Sequence, residues 1–263
     1  MDRHIAAVVL LGLLAVLAAA VSLPIPGSPS SDPLDADRTY PAGAGPDHVN
    51  VTALAADDAS VSNVPREHWD SYAISYSAPP ERRLVEGEYY VDATTGEIIG
   101  DRWHDATVYV NGSTYAFVQP ADGIPEHRRG RFRSDTRFVY DDATDAYYRY
   151  DPHYGRVAPT NIGRHTAIVD AYRWEAVDTT THHGVPVITY RVTGTRPNVA
   201  EVPPAINGTL ELGVDEGVVY AYDLTLDADG ETSRYTYDVH PAPFPEHEWV
   251  DRARDLAGNA TRG

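Results

Sequence analysis

Cysteine is absent from this chain of 263 residues. Its absence removes disulfides, thiolate metal sites, cysteine nucleophiles and a lipid-modified N-terminal cysteine together. Lysine is absent as well: all 21 basic residues are arginine, set against 39 acidic ones for a formal charge of −18. Phenylalanine is scarce, at four residues, and methionine occurs once. A strongly acidic, lysine-free surface suits a protein that must stay hydrated at very high salt, where repulsion between charges is screened within roughly 3 Å at 1 M. The composition therefore points to an extreme halophile. Nucleic acid is excluded as a partner, because neutralising phosphates needs clustered cations. The one dense basic run, HRRGRFR from His127 to Arg133, is expected to be a solvated loop.

Signatures of catalysis are missing too. There is no H-E-x-x-H helix, no G-x-S-x-G elbow and no glycine-rich phosphate cradle. The adjacent His182 and His183 precede Gly184 in what should be a hairpin turn, and they read as solvated. The acidic stretches DDATD and LDADGE do not complete the ligand spacing of a calcium loop and read as hairpin turns. The expectation is no enzyme, no catalytic residue, no metal and no cofactor.

What is present begins at the N-terminus. Ile5 to Leu23 runs 19 residues without a charge. At ~1.5 Å per residue a helix of that length crosses a hydrocarbon core of roughly 30 Å. Residues 1–23 are therefore read as a transmembrane anchor, with secretion after signal cleavage at LAAAVS as the alternative. Arg3 before the span puts everything after it on the extracytoplasmic side of the cell membrane. Four N-x-S/T sequons, at Asn50, Asn111, Asn207 and Asn259, agree with that side and are candidate glycosylation sites. Residues 24–64 are rich in proline, alanine and aspartate and read as a flexible stalk.

From Trp69 onward tyrosine, valine and threonine alternate with polar residues, broken by turns, which is the pattern of antiparallel strands. SYAISYSA sets Tyr72, Ile74 and Tyr76 on one face, and TVYVNGSTYAFV reads as a hairpin with Asn111 and Gly112 in its loop. Further turns are expected at residues 93–96, His183-Gly184, Glu216-Gly217 and 227–230. EYYVDATTGEII (88–99) and ELGVDEGVVYAY (211–222) resemble each other through shared turn chemistry and not as an internal repeat. A helix is expected over NIGRHTAIVDAY, capped at Asn161, and another after Pro245 in EHEWVDRARDL. The fold class is mainly β (α+β): a curved antiparallel sheet or incomplete barrel over residues 65–250 with one or two capping helices, then a tail at 251–263.

The order of these elements, from SYAISY through YVNGSTYAFV, a helix, GVPVITYRVTG and LELGVDEGVVYAYDLTLD to SRYTYDVH, resembles the lipoprotein carrier-like (LolA-like) superfamily. The likeness is greatest to membrane-tethered surface proteins of halophilic archaea. The resemblance implies a curved incomplete barrel around an apolar cavity for a lipid or other hydrophobic ligand. Its lining in this chain falls to Tyr72, Ile74, Tyr76, Val108, Val110, Tyr115, Phe117 and Val187, with Ile162 and Val169 on a lid helix. The family's lipidated cysteine is lacking, so Ile5 to Leu23 takes over the anchoring. EYYVDATTGEII on its own is similar to the closing hairpin of PepSY-type modules, and the alternative function is a structural or regulatory surface module without a ligand.

Overall fold

The alternation of tyrosine and aliphatic residues with polar ones builds one broad sheet. The computed structural model describes residues 38–54, 64–65, 67–77, 87–102, 106–111, 114–150, 169–197, 202–228 and 230–260. All of these belong to a single compact unit, Pro33–Gly263. Ile5 to Leu23, much of the expected stalk and the start of the expected lid lie outside the described residues. No helix among the described residues is long and apolar enough to cross a membrane.

In chain order the strands are β1 (Ala44–Gly45), β2 (His48–Val49), β3 (Ser71–Ser77), β4 (Gly87–Asp92), β5 (Ile98–Arg102), β6 (Ala106–Asn111) and β7 (Thr114–Pro120). They continue as β8 (Phe138–Asp141), β9 (Ala146–Tyr150), β10 (Tyr172–His182), β11 (Val185–Thr195), β12 (Ala205–Gly213), β13 (Val219–Ala228) and β14 (Glu231–Pro241). The helices are α1 (Val51–Leu54), α2 (Glu126–Ser134) and α3 (Glu248–Ala260). β1 and β2 form a small hairpin, and the other strands make a 12-stranded antiparallel sheet in the order β10-β11-β12-β13-β14-β3-β4-β5-β6-β7-β9-β8. Two meanders, β10–β14 and β3–β7, are thus joined where β14 pairs with β3, with Tyr237 opposite Tyr76 and Val239 opposite Ile74. The sheet does not close into a barrel: β10 and β8 are its free edges.

Strand period two sorts the side chains. One face carries Trp174, Tyr222, Leu224, Tyr237, Tyr72 and Ile74, all buried in one apolar cluster that runs from β10 to β6. Burying each such side chain is worth ~1.5–3 kcal/mol. Burial also pushes the Tyr72 phenol up to about 12.

Residues 38–54 correct the stalk expectation, because they are folded onto this cluster. Val49 and Leu54 are buried within it, the Ala176 amide donates to the Pro46 carbonyl at 2.8 Å, and Arg196 Nη2 donates to the Val49 carbonyl at 2.7 Å. Two apolar residues five positions apart were enough to dock a segment whose composition looks like a linker. His127 to Arg133 likewise form the helix α2 and not a loop, although none of its residues is buried. Its single apolar residue holds it down: the Phe132 ring lies 4.4 Å from Phe138 and 5.6 Å from Tyr147.

The likeness between residues 88–99 and 211–222 is one of turn geometry. In the first turn the Gly96 amide donates to the Asp92 carbonyl and the Asp92 amide to that of Glu97; in the second Gly217 and Gly213 donate to Gly213 and Val218 in the same pattern. Gly96 and Gly217 hold positive φ, 76° and 68°, the region where glycine is unstrained.

The tail expected at 251–263 is instead helical to Ala260. α3 lies on the other face of the sheet, where Val250 and Ala253 pack against Ile99, Tyr109, Val118, Ala146 and Tyr148. Two arginines fix it. Arg252 Nε donates to Asp141 Oδ1 at 2.7 Å, and Arg254 donates to both Glu97 oxygens at 2.7 Å. Burial alone raises the Glu97 carboxyl, but hydrogen bonds from Arg254 and Tyr109 outweigh it and hold it below the usual glutamate range. The stabilisation is therefore present above the ordinary glutamate value, ~4.3, and is lost as pH falls through the lowered folded value. Arg254→Ala leaves the Glu97 charge buried without its partner and should cost about 2 kcal/mol in urea unfolding at neutral pH, less than a fully buried pair because Arg254 is half exposed. That cost should shrink as pH falls through the folded glutamate value.

Candidate functional site

On the polar face the backbone register lines up residues far apart in sequence. Glu211 of β12 stands opposite Ala221 of β13, Ala221 opposite Asp238 of β14, Asp238 opposite Ser75 of β3, and Ser75 opposite Glu88 of β4. Three carboxylates thus share one row, separated by two small side chains. Like charges in such a row repel. The gaps above Ala221 and Ser75 are filled by imidazoles.

His182 Nδ1 donates to Glu211 Oε2 at 2.7 Å, and its Nε2 donates to the Val239 carbonyl at 2.6 Å with Asp238 Oδ1 at 3.7 Å. His240 Nδ1 donates to Asp238 Oδ2 at 2.9 Å, and its Nε2 lies 3.8 Å from Glu88 Oε1. The Tyr90 hydroxyl closes the array on Glu88 Oε2 at 2.6 Å. Carboxylates and imidazoles therefore alternate from Glu211 through His182, Asp238 and His240 to Glu88. His182 is 8% exposed, and both its nitrogens face acceptors, so the ring is an imidazolium. Burial opposes that charge, but the hydrogen bonds to Glu211 and Val239 and the charges of Glu211 and Asp238 prevail, raising its pKa above the ordinary histidine value.

Two backbone features admit His182 to this position. Glu211 pairs with Ala221 but Leu212 pairs with Val219, so Tyr220 is the extra residue of a β-bulge. The β13–β14 ladder ends at Ala221 opposite Asp238, leaving the Val239 carbonyl for the imidazole. Bulges bend a strand and re-aim side chains in this way. The His183-Gly184 turn, with φ of 45° and 90°, is the two-residue mirror-image turn preferred by twisted hairpins. Its His183 ring stands edge-on to His182 at 4.7 Å and 6.1 Å from His240. His182 therefore corrects the expectation of a solvated pair: it is buried, while His183 is exposed. The expectation that the chain offers no metal ligands is also revised, since His182, His183 and Asp238 each present a ligand atom within 4.8 Å of the others.

Beside the array lies an open groove of about 570 Å³. Glu88, Tyr90 and His240 form its polar wall, and Ala242, Pro243, Phe244 and Pro245 form its apolar wall, with Glu246 at one end. The apolar wall belongs to the segment joining β14 to α3, whose prolines keep it extended. Ser71 Oγ fixes it by donating to the Ala242 carbonyl at 2.7 Å.

The residues expected to line a cavity fall elsewhere. Tyr72, Ile74, Tyr76, Val108, Val169 and Val187 are buried together in the main apolar cluster, and Val110 packs against it half-buried. Tyr115 and Phe117 stand opposite Val110 and Val108 in β7. Their side chains, and Ile162, lie outside the described residues. Of the sequon asparagines, Asn50 caps α1 by accepting from the Ala53 amide at 3.1 Å, Asn207 is exposed on β12, and Asn259 lies in α3. Asn111 pairs with Thr114 at the end of β6, one residue before the expected loop position.

No family model matches the chain, and no curated protein does. Among solved structures the chain is similar to a LolA superfamily protein from Nitrosomonas europaea: identity is 12%, the match covers 75% of this chain and 96% of that one, and the TM-score is 0.23. At that TM-score the likeness assigns neither a family nor a function.

Sequence reasoning missed the array because its members come from four strands. The local signals were small: two histidines before a turn glycine, and D-x-H at 238–240, which on a strand puts both side chains on one face. His182→Phe keeps the volume but leaves the Val239 carbonyl and the Glu211 carboxylate without a donor. It should cost about 2 kcal/mol in urea unfolding, whereas His183→Asn, which suits the turn, should leave the midpoint unchanged or raised.

Proposed function

We propose that the chain is a non-enzymatic binding protein, tethered to the membrane through Ile5 to Leu23 on its extracytoplasmic side, that holds a lipid or other hydrophobic ligand with a polar end. The observation that carries this reading is the two-sided groove, with Phe244 and its flanking prolines facing Glu88 and His240. Its volume is in the range of small-molecule sites, ~300–1,000 Å³. The ligand's apolar body lies along the Pro-Phe-Pro wall and its polar or cationic end meets the carboxylate array. Placing the ligand here, and not within the sheet's core, fits the close packing of Tyr72, Ile74 and Tyr76. The absence of catalysis is supported by His182, whose nitrogens are both committed to hydrogen bonds, leaving no lone pair to act as a base. The acidic, lysine-free composition favours a high-salt setting.

A second reading, a ligand-free structural or regulatory surface module of the PepSY kind, is favoured by that same core packing. Native mass spectrometry and lipid extraction of the compact unit Pro33–Gly263, followed by titration with a fluorescent fatty acid, separate the two. The binding reading expects a retained or exchangeable lipophile and about tenfold weaker probe binding in Phe244→Ala, equivalent to ~1.4 kcal/mol. A monodisperse protein that neither retains a lipophile nor binds the probe supports the second reading and overturns the first.

A further inference from the structure

We propose that His182, His183 and Asp238 form a binding site for one divalent transition-metal ion of the zinc class. The three residues each offer one ligand atom, all within 4.8 Å of one another. Consecutive residues of a strand point to opposite faces, so two adjacent histidines do not ordinarily share an ion. The turn removes that obstacle: the positive φ of His183, 45°, brings its ring edge-on to His182 with centroids 4.7 Å apart. Non-glycine residues adopt this conformation infrequently, and such positions concentrate at ligand clamps.

The surrounding groups are those that orient metal ligands. Metal-bound imidazoles characteristically donate their second ring N–H to a carboxylate, and ligating carboxylates are themselves hydrogen-bonded. His182 already donates Nδ1–H to Glu211, which presents Nε2 to the ion. Asp238 accepts from His240 at Oδ2, which leaves Oδ1, the oxygen nearer His182 Nε2, for the ion. Binding replaces the Nε2 proton that otherwise bonds to the Val239 carbonyl, so the proton leaves to solvent and the positive charge in the array is kept. Two imidazoles and one carboxylate favour zinc and its neighbours over magnesium or calcium, which require an all-oxygen shell. The site does not depend on what the groove holds.

The test is equilibrium dialysis of the full chain, in detergent, against a zinc salt in large excess of magnesium, with bound zinc measured by elemental analysis. The expected result is one zinc per chain that magnesium does not displace. His183→Asn and Asp238→Asn should each weaken binding at least tenfold, and Glu211→Gln about 10- to 100-fold through the orientation of His182. His247→Asn, away from the array, should bind as the parent does. His183→Asn must keep the parent unfolding midpoint, so its loss of zinc reports the ligand and not the fold. Zinc bound only at levels that magnesium displaces, or a full equivalent retained in His183→Asn, overturns the assignment.

Discussion

The constraint on which the rest depends is the unbroken register between β12 and β4. Because cross-strand partners point to the same side of a sheet, that register places Glu211, Asp238 and Glu88 in one row. Three carboxylates at such spacing need cations between them, and the chain supplies imidazoles where arginine is too long. His182 is the member without which the row fails, since it neutralises Glu211 and Asp238 and also satisfies the Val239 carbonyl at the end of the β13–β14 ladder. The same period of two builds the opposite, tyrosine-lined face, so core and array are two consequences of one pattern.

Buried polar groups divide in a parallel way. Glu97, Asp141 and His182 are buried polar residues of the described chain. Arg254 and Arg252 claim the first two and so lay α3 on the sheet, and the Ala242 to His247 segment leading into α3 is held at the site's edge as a result. The groove exists because a helix is ion-paired at one end and β14 is hydrogen-bonded at the other. Its polar wall shares His240 and Glu88 with the array, which brings an apolar surface and a carboxylate-rich one within one ligand's length.

Much of the fold was legible in the sequence. Alternation identified β3, β10, β11, β13 and β14, and turn chemistry located His183-Gly184 and Glu216-Gly217, because both signals are local. Residues 38–54 were misread because composition describes a segment's average, whereas Val49 and Leu54 decide its docking. α2 was misread because charge hid a helix held by one phenylalanine. The array was illegible for a different reason: it is a product of long-range register and of the bulge at Tyr220, and neither is written in any short stretch. D-x-H at 238–240 signalled a shared face but not the partners on it.

The central claim is that His182 sits as a doubly hydrogen-bonded imidazolium between Glu211 and the Val239 carbonyl. Nitrogen-15 and proton NMR of the metal-free protein near neutral pH measures this directly. The structure predicts two slowly exchanging ring N–H protons for His182, both lost in His182→Phe, with the Nδ1 proton alone shifted by Glu211→Gln. A His182 ring that is neutral and exchanges its proton with solvent as freely as an exposed histidine would contradict the account.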